Sequence, residues 1–388
     1  MAQFKLGRRQ FTAAVTAGAA SLSMPAFAQG EPIKVGVIVP LSGPAGPNGQ
    51  AVTSAVKIAA DMVNAKGGVL GRKLVIVSKD DESTPAVGVT RANEMVAEKV
   101  AVVIEGWNSP VTLAMQPVLA RANILDITAV SKADPILAGQ ANPYAIRLNS
   151  SNGQDGAVIA DILLNKLSAK RIGFLTQNDA YGNGAQAVIE AELTKIGKPW
   201  EKVVVEQFPF KQTDFRVSLA NVKQAKPDAV VAINAAESSG MPALIQQYRQ
   251  AGIDGVFVGA VGTILPTVFK IAGEATTGVV SADIYFPDLP PFDKIKENLE
   301  FVDAYRKVHN EAPDKGAALG AAALEVWASA ANTAKSLDRK AVAEAIRGQT
   351  VKGTVLGDVT FEANGQAKHK HTIFKVTDGK TAKIEVVK

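Results

Sequence analysis

Short β-branched runs alternate with helical stretches along this chain, and the alternation restarts once. Ile33–Val39 is rich in Val and Ile and closes on Pro40-Leu41-Ser42-Gly43-Pro44, which reads as a buried strand leading into a loop. Val52, Val56, Ala59, Ala60 and Val63 then recur at helical spacing until Gly67-Gly68 stops them. Further strands are predicted at 74–77, 100–104 and 124–128, with helices over 85–98 and 110–121 between them. Strand and helix repeated with short links means a mostly parallel sheet with helices on both faces.

After Ser150 the pattern begins again. Strands are predicted at 171–176, 203–207, 228–233 and 256–259, and helices over 184–196, 215–225 and 241–251. The last third departs from it. An extended stretch over 277–285 is punctuated by Pro287, Pro290 and Pro291, and helices are expected over 293–309, 316–335 and 338–347. A strand over 353–361 bends around Gly357, and strands at 372–376 and 382–386 flank the turn signal Asp378-Gly379. This order suits two tandem α/β units, with a chain that returns to the first and ends in the second.

The amino terminus sets the compartment. Arg8-Arg9-Gln10-Phe11 precedes a small-residue apolar run that ends Ala26-Phe27-Ala28, so residues 1–28 read as an export signal peptide with an Ala-x-Ala cleavage site. The run is shorter than the ~20 residues a spanning helix needs. The arginine pair resembles a twin-arginine signal, although Gly7 stands where that signal has Ser or Thr, and general secretion is the alternative. A periplasm-like location follows, and with no cysteine in the chain there is no disulfide for that compartment to form. Of the formal net charge of +5, Lys5, Arg8 and Arg9 account for three, and the +2 that remains argues against a nucleic-acid partner.

No conventional catalytic or metal-binding pattern is present. His309, His369 and His371 are the only histidines, and the pair flanking Lys370 reads as a solvated turn rather than a metal grip. Asp80-Asp81-Glu82 reads as a structural acidic turn. The informative loops lie at strand ends, where open α/β sheets bind ligands. The best is Gly106-Trp107-Asn108-Ser109-Pro110, where a strand ends and a helix begins with Ser109 near its cap and Pro110 at its first turn. Free amides and a hydroxyl there suit a carboxylate, while an ordinary capping serine is the equal alternative.

From Pro32 to about Lys375 the order of landmarks resembles the solute-binding proteins of branched-chain amino acid ABC transporters, the leucine-isoleucine-valine type. The marks are Pro40-Leu41-Ser42-Gly43-Pro44 with Gly49, the stretch Asn64-Ala65-Lys66-Gly67-Gly68-Val69-Leu70-Gly71, the 106–109 loop, Arg147 before Asp155-Gly156, Asp179-Ala180-Tyr181-Gly182, Gly357-Asp358-Val359-Thr360-Phe361 and Asn364-Gly365-Gln366. The resemblance implies a two-lobed type I periplasmic-binding-protein fold with three crossings between lobes. Lobe 1 would be 31–150 with 284–357, lobe 2 would be 151–283 with 358–388, and the ligand would sit between them. It implies no cofactor, no catalysis, a monomer and an ABC permease as partner. Ser109 matches the family's carboxylate-binding serine, Ala129-Val130-Ser131 its next loop, and Tyr181 a lobe 2 tyrosine that closes over the ligand.

The departures point to the ligand. Relatives that take amino acids hold the ammonium with an aspartate and a glutamate, and Asn152 and Val261 stand at those positions here. A buried ammonium without a carboxylate loses water and gains too little. Asn48 replaces a pocket tryptophan, and Trp107, Tyr181 and Tyr285 offer flat walls. The expectation is therefore a carboxylate without an amine, either a 2-oxo acid or an aromatic acid, with Asn152 donating to it. Glu237, at a strand end in Ala235-Ala236-Glu237-Ser238-Ser239, is the one candidate to recover an amine or amide ligand, with a solvent-facing acid or a hinge contact as the equal alternative. A periplasmic sensory role and an exported enzyme are the rival functions.

Overall fold

The computed structural model describes residues 30–138 and 144–387, so the expected export signal over 1–28 lies outside the described residues. The first lobe opens with β1 (Ile33–Val39), α1 (Gly46–Ala65), β2 (Leu74–Asp80), α2 (Pro85–Ala97), β3 (Val102–Glu105), α3 (Ser109–Arg121), β4 (Leu125–Thr128) and β5 (Ala145–Arg147). These strands form one parallel sheet in the order β2-β1-β3-β4-β5. Strand alternation sorts side chains between two cores. Val35, Val37 and Val39 face one core, and Ile38 faces the other, beside α2 and α3.

The second lobe contains α4 (Asn152–Asp161), β6 (Arg171–Gln177), α5 (Ala180–Ile196), β7 (Glu201–Phe208), α6 (Arg216–Ala225), β8 (Ala229–Ile233), α7 (Gly240–Gln250), β9 (Val256–Gly259), α8 (Pro266–Ala272) and β10 (Val280–Asp283). A capping box starts α4, with Ser151 and Gln154 satisfying each other's backbone N–H groups. In β8, Ala229, Val231 and Ile233 pack toward α4 and α5, while Val230 and Ala232 pack toward α6 and α7.

The chain then returns to lobe 1. It adds α9 (Lys296–His309), α10 (Lys315–Ala334), α11 (Arg339–Glu344) and the hairpin β11 (Thr350–Thr354) and β12 (Gly357–Thr360). The alanine-rich α10 packs against α1, because small residues let two backbones approach closely, and its Trp327 fills the same core. The chain ends in lobe 2 with β13 (Thr372–Asp378) and β14 (Lys383–Val386). The lobe 2 sheet runs β14-β13-β10-β9-β8-β6-β7, parallel except for this antiparallel edge hairpin.

Two lobes and three crossings match the expected architecture, but the third crossing is displaced. It was expected at Asp358, yet β12 stays with lobe 1. Val359 and Phe361 bury their side chains in the lobe 1 core. Arg147 N donates to Gly365 O at 3.0 Å, and Ala367 N donates to Arg147 O at 2.9 Å. The chain therefore leaves lobe 1 only after Ala367, through 368–371.

Candidate functional site

The carboxyl ends of the parallel strands of both sheets face each other across the cleft. Loops after β3, β4, β6, β8 and β9, with the start of α10, enclose a small cavity lined by Trp107, Ser109, Val130, Lys132, Tyr181, Ala235, Glu237, Val261, Gly262, Thr263 and Lys315. The lobes are closed on it. The Trp107 indole N–H donates to Ala235 O at 3.2 Å. The Lys132 ammonium donates to Asp155 Oδ2 at 2.5 Å and Val261 O at 2.8 Å, and the Lys315 ammonium donates to Gly262 O at 2.9 Å. Away from the cavity the Ser238 hydroxyl contacts Pro44 O and Asn48 Oδ1, each at 2.7 Å.

Ser109 is the first residue of α3, whose N-cap is Asn108 rather than Ser109. Its oxygen accepts from Lys132 N and Ala133 N, both at 3.2 Å. An oxygen filled by two amides turns its own proton outward, and here it is available to an acceptor in the cavity. Tyr181 follows the Asp179 cap of α5, and burial pushes its phenol well up, so it stays a neutral donor. Burial also pushes the Glu237 carboxyl up to about 7, against the opposing pull of its own backbone amide, the Lys315 charge and Trp107. Glu237 Oε2 is fully buried and no hydrogen bond reaches it, alone in this respect among the side chains lining the cavity.

The two lysines were not expected here, and each already has negative company. Lys132 is paired with Asp155, and Lys315 lies in the field of Asp283 and Asp314. The cavity thus holds a buried carboxyl with one oxygen in need of a hydrogen-bond partner. That is the reverse of the amine-rejecting pocket read from Asn152 and Val261.

Five expected site residues sit behind the cavity rather than in it, and a sixth lies elsewhere. Asn152 Nδ2 donates to Tyr181 O at 3.1 Å and braces the tyrosine, while its Oδ1 is buried without a hydrogen-bond partner. Asn48 is an interlobe contact of Ser238. Asn108 serves as the N-cap, with its Oδ1 buried and without a hydrogen-bond partner. Ala129 N bonds Glu105 O at 2.8 Å, and Ser131 Oγ lies 2.9 Å from Thr112 Oγ1, both beneath the loop. Tyr285 donates to Asn298 Oδ1 at 2.7 Å and lines a different cavity. Val261 does line the site, but its carbonyl is spent on Lys132.

The expected histidine turn is not a solvated one. His371 Nε2 lies 2.9 Å from Asp155 Oδ1, and His369 Nε2 meets Leu148 O. Burial pushes His369 down to about 4, which keeps it neutral. Asp80 and Asp81 accept backbone N–H groups of Leu41, Glu82 and Ser83 and shape a turn. No group of three metal-ligating side chains occurs among the described residues.

A sequence profile described as periplasmic binding protein matches residues 32–381. The chain belongs to the periplasmic binding protein family. It is a solute-binding transport protein of the type I, Leu/Ile/Val-binding kind, not an enzyme. The Leu/Ile/Val-binding protein homolog 1 of Brucella abortus (strain 2308) is 29% identical over 336 residues, 87% of this chain and 88% of that protein. The branched-chain amino acid transporter substrate-binding protein LivJ of Streptococcus pneumoniae, solved with isoleucine, matches with a TM-score of 0.80 at 25% identity. That match covers 92% of this chain and 99% of the other. A solute-binding protein of an R. palustris ABC transporter, solved with benzoate, matches with a TM-score of 0.82 at 25% identity, over 92% and 95%. In this binding protein the cavity sits between the lobes, at the strand ends of both sheets.

Proposed function

We propose that this protein binds a small aliphatic α-amino acid in the periplasm and presents it, with lobes closed, to an ABC permease. The observation that carries this reading is Glu237 Oε2, buried in the cavity with no hydrogen-bond partner. A ligand ammonium would satisfy it and hold the carboxylate ionised. The ligand carboxylate would take the Ser109 hydroxyl and the amino-terminal end of α3. Trp107, Val130 and Val261 supply apolar wall for a side chain.

This replaces the expectation of a carboxylate without an amine. Leu/Ile/Val-binding proteins recur among the relatives, and one matching structure holds isoleucine. The ammonium's partner is then Glu237, on the loop after β8, rather than a residue at position 152 or 261. Closure would work by population shift, since the ligand's contacts come from both lobes and are complete only when they meet. Residues 1–28 would direct export by the twin-arginine or the general secretory route.

Titration calorimetry of the ligand-stripped protein with leucine, isoleucine, valine and benzoate tests the reading. Binding of one or more of the amino acids, at least tenfold tighter than benzoate, is expected for a pocket that pairs the ammonium. Benzoate binding without any amino-acid binding would overturn it.

A further inference from the structure

Lys315 stands directly after Asp314, the N-cap of α10, whose carboxylate accepts from Ala317 N at 2.8 Å. Its side chain leaves lobe 1 and ends on a lobe 2 backbone carbonyl, Gly262 O, at 2.9 Å. Gly262 has φ +71, and a Cβ there would lie 1.9 Å from Lys315 Nζ. The loop can therefore carry no side chain while the lysine is in place. Lys315 is 4% exposed, yet it lines two separate spaces. One is the candidate ligand cavity. The other is a larger, mostly apolar interlobe cavity, walled by Leu265, Phe269 and Phe374 of lobe 2 and by Tyr285 and Pro313 of lobe 1, with Asp283, Asp314 and Glu311 among its charged residues.

We propose that Lys315 is the partition between these two cavities and the residue that sets the upper size of the ligand. The inference rests on the amino-acid reading and names the residue that limits it to short side chains. With the ammonium latched on Gly262 O, the ligand cavity stays closed off from the larger one. A longer or aromatic side chain would have to push the lysine aside. That breaks the latch and removes a positive charge from Asp283 and Asp314, which are buried beside it. Without the partition the same side chain would enter an apolar space already made of aromatic and aliphatic walls.

Lys315→Ala, Lys315→Met and Gly262→Ala are compared with the wild type by titration calorimetry against leucine and phenylalanine. The wild type favours leucine, and Lys315→Ala narrows the leucine-to-phenylalanine affinity ratio by about tenfold or more, the scale of admitting extra apolar volume. Lys315→Met fills the same space and keeps most of the ratio. Gly262→Ala displaces the lysine without removing it and also narrows the ratio, so it decides the matter where Lys315→Ala does not fold. A wild type that binds no leucine removes the amino-acid reading. The partition is then read from the ratio of benzoate to 2-naphthoate in the same proteins. An unchanged ratio in a folded Lys315→Ala or Gly262→Ala protein overturns the partition.

Discussion

Lys132 Nζ lies 2.5 Å from Asp155 Oδ2, and this buried ion pair joins the loop after β4 in lobe 1 to α4 in lobe 2. His371, on the third crossing, reaches the other oxygen of the same carboxylate at 2.9 Å. One aspartate thus ties a cavity-lining lysine to the hinge. Burial pushes the Asp155 carboxyl up, but the Lys132 charge and the His371 ring more than reverse this and hold it at about 2.

Breaking such a pair on one side leaves an unpaired buried charge. Lys132→Met is expected to destabilise the protein by about 3–5 kcal/mol, and adding Asp155→Asn should recover most of that loss. Urea unfolding of the two variants and the wild type checks it. The pH dependence has a definite sign. The folded protein binds the Asp155 proton less tightly than the unfolded chain, so the pair's stabilisation is complete above the ordinary value of 3.8 and is lost as pH falls toward 2. Acid unfolding of Asp155→Asn should lack that component.

Glu237 gives the opposite sign. Its carboxyl rises from the ordinary 4.5 to about 7 because burial disfavours the charge. Below about 7 an ammonium ligand must expel a proton to bind, so leucine affinity should fall as pH drops, approaching tenfold per pH unit. Calorimetry in buffers of different ionisation enthalpy reads that proton release directly. Glu237→Gln should lose the pH dependence and weaken binding by roughly 2–3 kcal/mol, the range for a hydrogen bond to a charged group. For the ligand-free protein the stability contributed by the protonated acid is present below 4.5 and lost as pH rises through about 7. Glu237→Gln should therefore melt higher than the wild type at pH 8.

The sheets were legible because β-branched runs such as 33–39 and 229–233 are short, apolar and evenly spaced, and burial on both faces demands that pattern. Ser109, Trp107, Tyr181 and Glu237 were legible because each sits just past a strand. Lys132 and Lys315 were not. A lysine in a polar loop or at a helix start ordinarily points to water. These two are buried by the other lobe, through partners at Asp155 and Gly262 that no local pattern connects to them. The same limit moved the third crossing. Nothing near Gly357 says which core Val359 and Phe361 will enter, because either lobe would accept an alternating apolar strand.

Trp107 is the interlobe contact most readily tested alone. Its ring packs beside Gly316 on α10, and its N–H reaches Ala235 O in the other lobe. Trp107→Phe keeps most of the ring and removes the donor. Ligand affinity should fall by about 1 kcal/mol, one neutral hydrogen bond, because the bond exists only in the closed form. The unliganded melting temperature should change little. A drop in melting temperature without a drop in affinity would make Trp107 a packing residue of lobe 1 instead.

Gly106 sets the direction of the loop that carries Trp107 and Ser109. Its φ is +95, and a Cβ there would lie 2.9 Å from Ser131 Oγ and 3.0 Å from Thr112 Oγ1. Those hydroxyls bond each other, and Thr112 also donates to the buried Glu105 at 2.6 Å. An alanine must therefore adopt a disfavoured backbone conformation and also displace one of two hydroxyls held in a buried chain of hydrogen bonds. Gly106→Ala is expected to cost roughly 2 kcal/mol of stability from backbone strain and crowding. Because Ser109 lies three residues on, leucine affinity should fall by more than that strain alone would cause in a distant loop. Calorimetry at a temperature where the variant is fully folded separates the two effects. Wild-type affinity in the folded variant would remove the 106–109 loop from the binding site.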